Sequence, residues 1–298
     1  MNERLRFSMI LVALGIGWGS TQPLGKIATS TGHGHFGLIF WQLVIGALVL
    51  GVLLAVQGKR FPIRHETIRF AALIAVIGTL IPNSTFYISV AHLPSGIMSI
   101  LISTVPLISF PIALSLGMDR FDLRRIGGLL LGLTGVALIA IPQASLPDPS
   151  MVAWLPVAMV GPIFYACEAN IVARWGTAGL DPVQAMFGAS VVGAIMAFPL
   201  MMASGQWISP VPPFGKAELA LIASSALHAV LYTTYVWLAS RAGAVFASQT
   251  SYIVTGAGVT WAMLLLGERF SPWIWAAIAV MFCGLLLVRP RLRAAKVA

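Results

Sequence analysis

The chain is a succession of apolar runs, each close to twenty residues long and separated from the next by a few polar residues. A bilayer core about 30 Å thick is spanned by roughly 20 apolar residues in a helix. Backbone polar groups left open in hydrocarbon are prohibitively costly, so helices or closed barrels are the only spanning solutions. Ten spans are read near 7–26, 36–57, 68–90, 95–117, 125–142, 151–173, 182–203, 217–240, 243–267 and 271–288. Their connections are short and carry turn chemistry, such as TGHGH after the first, QASLPDPS after the fifth and SGQWISPVPP after the seventh. The expectation is an all-α integral membrane fold with ten transmembrane helices and no room for a soluble domain. Composition agrees, with 58% hydrophobic and 9% charged residues, against about 25% charged in soluble domains.

Arg4 and Arg6 ahead of the first span resemble the basic start of a signal peptide. The apolar run then continues to Leu24, too long for a signal core, so the segment reads as a retained helix. Lysine and arginine near span ends set orientation. With the amino terminus in the cytoplasm, 15 of them fall on that side and three, Lys26, Lys216 and Arg269, outside. Both termini are therefore expected in the cytoplasm, in a bacterial inner membrane. The net charge of +9 is spread over short loops, which suits a membrane surface and not nucleic acid. Trp154, Trp175, Trp207, Trp273 and Trp275 sit near span ends, as an interfacial belt requires.

The two halves echo one another. YISVAHLPSGIMS at 87–99 aligns with YVWLASRAGAVFA at 235–247, and DRF at 119–121 with ERF at 268–270, a spacing of about 148 residues. GLTGVALIAIP at 132–142 lies opposite MFCGLLLVRP at 281–290. This divides the chain into repeats at 1–145 and 146–298. Five spans is an odd number, so the second repeat must cross the membrane in the opposite sense, a plan characteristic of transporters.

WGSTQPLGK at 18–26, the GMDRFDLRRIGG and LGERFSPW connections, and GGLLLGLTGVALI at 127–139 resemble the EamA-type drug/metabolite transporters over nearly the whole chain. Within that family the chain resembles a bacterial exporter of aromatic amino acids. The resemblance implies a secondary transporter that exports aromatic and other neutral amino acids and related small metabolites by alternating access.

Polar side chains inside apolar spans turn toward the bundle interior, so their clustering outlines a site. Ser225, His228, Tyr232 and Tyr235 share one face of the eighth span; Thr79, Asn83 and Phe86 share a face of the third, with Tyr87 beside them. Ser99, Ser103 and Pro106 in the fourth span correspond to Gln249, Tyr252 and Gly256 in the ninth. Trp18, Trp41, Tyr165, Tyr232 and Tyr252 are expected as apolar walls, and Gln22, Asn83, His228 and Gln249 as orienting polar groups. Tyr87, Ser103 and Glu168 complete the candidate substrate-binding set. Single serines and threonines are more often bonds between packed helices, and His228 is read as a neutral hydrogen-bonding group ahead of a proton carrier. Glu168, in GPIFYACEAN at 161–170, lies about 9 Å along the helix from cytoplasmic Arg174. It reads equally as a solvated wall, a partner for a substrate ammonium, or a proton-exchange site.

Pro82, Pro106, Pro111 and the TGAG run at 255–258 are expected to interrupt or bend their helices. Gly15 with Gly19, and Gly128 with Gly132, form small-xxx-small pairs for close helix approach. The sequence has no phosphate-binding loop, no catalytic set and no metal-ligand cluster; HGH at 33–35 is too sparse for one. No cofactor, metal or catalytic residue is expected, and the two cysteines, Cys167 and Cys283, read as packing residues. Partners are small-molecule substrate and lipid, with oligomeric state left open and a monomer sufficient. Two alternatives stand beside amino-acid export: proton-coupled efflux of cationic drugs through Glu168, and a membrane enzyme or lipid scramblase.

Overall fold

The computed structural model describes residues 3–140, 146–242 and 250–287. All regular structure among them is helical: α1 (Glu3–Thr29), α2 (His35–Val56), α3 (His65–His92), α4 (Ser95–Ser115), α5 (Leu123–Ala140), α6 (Pro149–Trp175, opening in a 3-10 turn), α7 (Pro182–Ala203), α8 (Lys216–Ala242), α9 (Thr250–Leu266) and α10 (Pro272–Leu287). Eight of these, α1 to α8, contain stretches long and apolar enough to cross a bilayer. The described parts of α9 and α10 are equally apolar but only 17 and 16 residues long.

Two helices are broken, and proline chemistry explains both. Pro82 has no N–H for the carbonyl four residues earlier. The chain widens into a π segment, Ala75–Leu80, just before it, where Ile81 N–H reaches back five residues to Val76 O. In α4 the run Ser95–Ile102 stops and Val105–Ser115 begins afresh with Pro106 in its first turn. Carbonyls left open at the break are taken locally. Ile100 O accepts from Ser103 N (3.1 Å) and Ser103 Oγ (2.6 Å), and Leu101 O from Thr104 N (3.0 Å) and Thr104 Oγ (2.6 Å). Pro111 and TGAG leave their helices continuous. Gly258 instead allows close packing, since a Cβ there would collide with the Ser99 hydroxyl.

The most extensive helix packing joins α1 with α8 and α9, α2 with α7 and α8, α3 with α6 and α7, α4 with α6 and α9, and α5 with α10. Glycines set the closest of these. Gly15 faces Ile253, and Gly19 faces Ala257 and Gly258. A Cβ on Gly284 would lie 2.6 Å from the Gly128 carbonyl oxygen. Asn170 ties α6 to α4 by donating to Ser109 Oγ (2.7 Å) and Ser109 O (3.2 Å). Trp175, Trp207, Trp273 and Trp275 are all exposed on the outside of the bundle, as residues meeting lipid and interface should be. Trp154 instead stacks on His92 at 3.8 Å.

At the start of α7, Asp181 accepts from Gln184 N at 3.0 Å, Gln184 Oε1 accepts from Asp181 N at 3.0 Å, and Lys59 Nζ reaches Asp181 Oδ2 at 2.7 Å. Partial burial pushes the Asp181 carboxyl up. The Lys59 hydrogen bond and charge, with the N–H groups of Gln184 and Val183, outweigh it and hold its pKa below the ordinary carboxylate value.

Two outcomes follow for thermal unfolding in detergent. Gly284→Ala, whose new methyl meets backbone, should destabilise by about 1–3 kcal/mol, as overpacking does. Gly161→Ala should cost less, because nothing lies nearer than 3.6 Å to its new methyl. Asp181→Asn keeps an oxygen to cap the helix but loses the charge. The wild-type contribution is present above the unfolded carboxylate pKa and lost as pH falls through the lowered folded value. The variant should therefore match wild type at acid pH and fall below it near neutrality.

Candidate functional site

Glu168 is the centre of the site. It is half-buried on α6, and its carboxylate lies flat against Gly78 in the π segment of α3. A Cβ at position 78 would stand 2.7 Å from Cδ and both carboxylate oxygens, so only glycine leaves this seat open. Among the described residues, no hydrogen bond or ion pair engages this carboxylate.

The other candidate side chains come from α1, α2, α3, α6 and α8. Tyr165, one turn before Glu168, donates to Asn83 Oδ1 at 3.0 Å, fixing the α6–α3 wall. Tyr87, buried on α3, donates to Gln42 Oε1 on α2 at 2.8 Å. On α8, the His228 and Tyr232 rings lie 6.4 Å apart and nearly parallel. Trp18 of α1 closes that side, 6.4 Å from His228 and 5.3 Å from Tyr235. A cavity of about 30 Å³ beside His228 is bounded by Gln42, Thr79, Ser190 and Ser225. That volume holds a water, not an amino acid.

Other expected site residues lie elsewhere or are committed to other partners. Trp41 donates to Ile208 O at 2.9 Å and packs with Phe40 and Trp207, anchoring the α7–α8 loop over the end of α2. Ser103 spends its hydroxyl on the α4 break. Gln22 is buried on α1, and its Oε1 has no partner among the described residues; an unmet acceptor costs about 1–3 kcal/mol, so it stands ready for a donor. Gln249 lies outside the described residues, as does the side chain of Tyr252.

Gln42, Gly78 and Ser190 were not singled out by sequence reasoning. Gln42 and Ser190 are polar residues in otherwise apolar spans and could have been found by the rule that found Asn83. Gly78 carried no such signal, because its importance lies in what a side chain would strike.

Chemically, the arrangement offers one anionic group without a protein cation among the described residues, on a wall with a phenol and an amide, and a cluster of indole, imidazole and phenol between α1 and α8. In a low-dielectric interior such a carboxylate attracts a cation or holds a proton. Aromatic faces beside it attract an organic ammonium and its apolar substituent.

Residues 6–141 and 152–289 match the EamA-like transporter family. A probable terminal-alkyne amino-acid exporter of Streptantibioticus cattleyicolor is 24% identical over 289 residues, covering 94% of this chain and 92% of that protein. A solved structure described only as "Crystal structure of protein" shares the fold, with a TM-score of 0.66 and 14% identity over 95% of this chain and 98% of that one. With several apolar helices able to cross a bilayer, the chain is a multi-pass membrane protein and a transporter, not an enzyme; it belongs to the EamA-like transporter family.

Proposed function

We propose that this transporter exports amino acids, aromatic and other neutral ones included, and related small metabolites across the bacterial inner membrane by alternating access. The observation that carries the reading is the unpartnered Glu168 carboxylate, seated on Gly78 one turn after Tyr165, in a bundle that also gathers the rings of Trp18, His228 and Tyr232. It accepts the substrate ammonium while the aromatic groups take the side chain. Asn83 and Gln22 supply further polar contacts. Similarity to a protein described as a probable amino-acid exporter supports the substrate class.

Ten crossings in two inverted repeats are part of the proposal, with the short described parts of α9 and α10 completing the count. The packing pairs support it. Exchanging each of α1–α5 with the helix five places later sends α1–α9 to α6–α4, α1–α8 to α6–α3 and α2–α8 to α7–α3, and leaves α2–α7 and α5–α10 unchanged. The two family matches, on either side of residues 142–151, fall one in each half. The bias of lysine and arginine supports a cytoplasmic location for both termini.

The same unpaired carboxylate favours a second reading, proton-coupled efflux of cationic drugs. In liposomes containing the purified protein, preloaded labelled phenylalanine, methionine and threonine should leave at saturable rates. Movement of a quaternary ammonium dye down a pH gradient without amino-acid transport would overturn the first reading in favour of the second. Glu168→Gln should weaken apparent amino-acid affinity by about 10- to 100-fold, the effect of losing a hydrogen bond to a charged group. Gly78→Ala keeps the charge but displaces it, and should raise KM in the same direction with a smaller effect. Unchanged kinetics in both variants would remove Glu168 from the binding site.

A further inference from the structure

The α3–α4 turn, LPSG at 93–96, is held at both of its helix ends by charged side chains from other parts of the bundle. Lys26, in the last turn of α1, donates through Nζ to Leu93 O at 2.6 Å and Val90 O at 3.0 Å, the open carbonyls at the end of α3. Glu268, from the α9–α10 loop, accepts from Ser95 N at 2.7 Å, Ser95 Oγ at 3.0 Å and Gly96 N at 3.1 Å, the open donors at the start of α4. Each charge meets the favourable end of a helix dipole, and the two are within electrostatic reach of one another. Phe270 covers Gly96, where a Cβ would strike its ring. Together the two side chains fasten α3 and α4 to α1 and to the second half of the chain.

α1 packs on both α3 and α4, whereas α6, its counterpart in the repeat, makes at most slight contact with α8 and α9 among the described residues. Arg174, which the repeat sets opposite Lys26, is exposed and without a partner among the described residues. The grip of Lys26 and Glu268 thus adds charge to the close packing of α1 on α3 and α4.

We propose that Lys26 and Glu268 form a latch that closes the end of the pathway beside the α3–α4 turn. Release of substrate on that side requires the α3–α4 turn to leave both groups, breaking five hydrogen bonds to two charges. Water then hydrates Lys26, Glu268 and the freed helix ends, so the latched and unlatched states differ little in the number of bonds each group makes. That near balance suits a gate, and a purely apolar seal would lack it. The proposal rests on the alternating-access reading but not on the identity of the cargo.

The test uses the full chain in sealed vesicles of known orientation, with Cys167→Ala and Cys283→Ser to remove native thiols and Gln22→Cys as a reporter one turn below Lys26. A membrane-impermeant maleimide is added from the Lys26 side. Lys26→Met and Glu268→Gln should each speed labelling by about tenfold or more, the shift expected when charge-assisted hydrogen bonds to one state are lost. From the opposite side, labelling should stay the same or slow. Unchanged labelling from the Lys26 side overturns the latch, and faster labelling from both sides overturns it too, since that marks general loosening. Should either variant fail to give monodisperse protein, Lys26→Arg and Glu268→Asp keep the charges but misplace them; they should produce a smaller acceleration from the Lys26 side only, and none would overturn the proposal. Wild-type amino-acid transport with unaltered labelling in the variants rejects the latch alone. Accelerated labelling, together with no amino-acid transport by protein that retains Gln22, rejects the cargo alone.

Discussion

Hydrocarbon offers no hydrogen bonds, and the rest of this structure depends on that fact. Every backbone group inside the bilayer must be satisfied by the protein itself, so each departure from a regular helix needs a local substitute. The break in α4 shows how. Pro106 removes a donor, and the hydroxyls of Ser103 and Thr104 fold back onto the carbonyls of Ile100 and Leu101. In α3 the substitute is a change of pitch, the π segment Ala75–Leu80. Both irregular stretches face protein, where such backbone is tolerated, and α6 packs against both helices.

The π segment links architecture to chemistry. By shifting the register of α3 it sets Gly78 against Glu168, and by leading into Pro82 it places Asn83 where Tyr165 can reach it. A carboxylate, a phenol and an amide thereby share one wall without the carboxylate being neutralised by a cation of the protein. Trp18, His228 and Tyr232 form a second cluster, between α1 and α8.

Much of this was legible in sequence, and particular residues show where legibility stopped. Asn83, Tyr165, Glu168, His228 and Tyr232 were recognisable because polar groups in apolar spans are costly unless they face inward. The same rule flagged Trp41 and Ser103, whose polar atoms turn out to be occupied by Ile208 O and Ile100 O. Spacing says which face of a helix a residue occupies, but not which neighbour claims its hydrogen bond. TGAG at 255–258 read as an interruption and is continuous helix, because a glycine can lower helix propensity and still be kept for the close approach of Ser99. Gly78 had no sequence signal of its own, and Lys26 was marked only for orientation and as the end of WGSTQPLGK; each acts through atoms distant in the chain.

By itself the sequence determined the number and length of the apolar segments, the exclusion of soluble catalytic chemistries, and the short list of polar residues that must avoid lipid. These follow from the cost of moving individual groups between water and hydrocarbon, a property of residue type and local order. Tertiary structure decided which helices meet, which hydroxyls are already spent, that Glu168 lies against a glycine without a cation, and that Lys26 and Glu268 grip the two ends of one turn. Those outcomes depend on distances of a few ångströms between segments far apart in the chain, and only the packed bundle sets them.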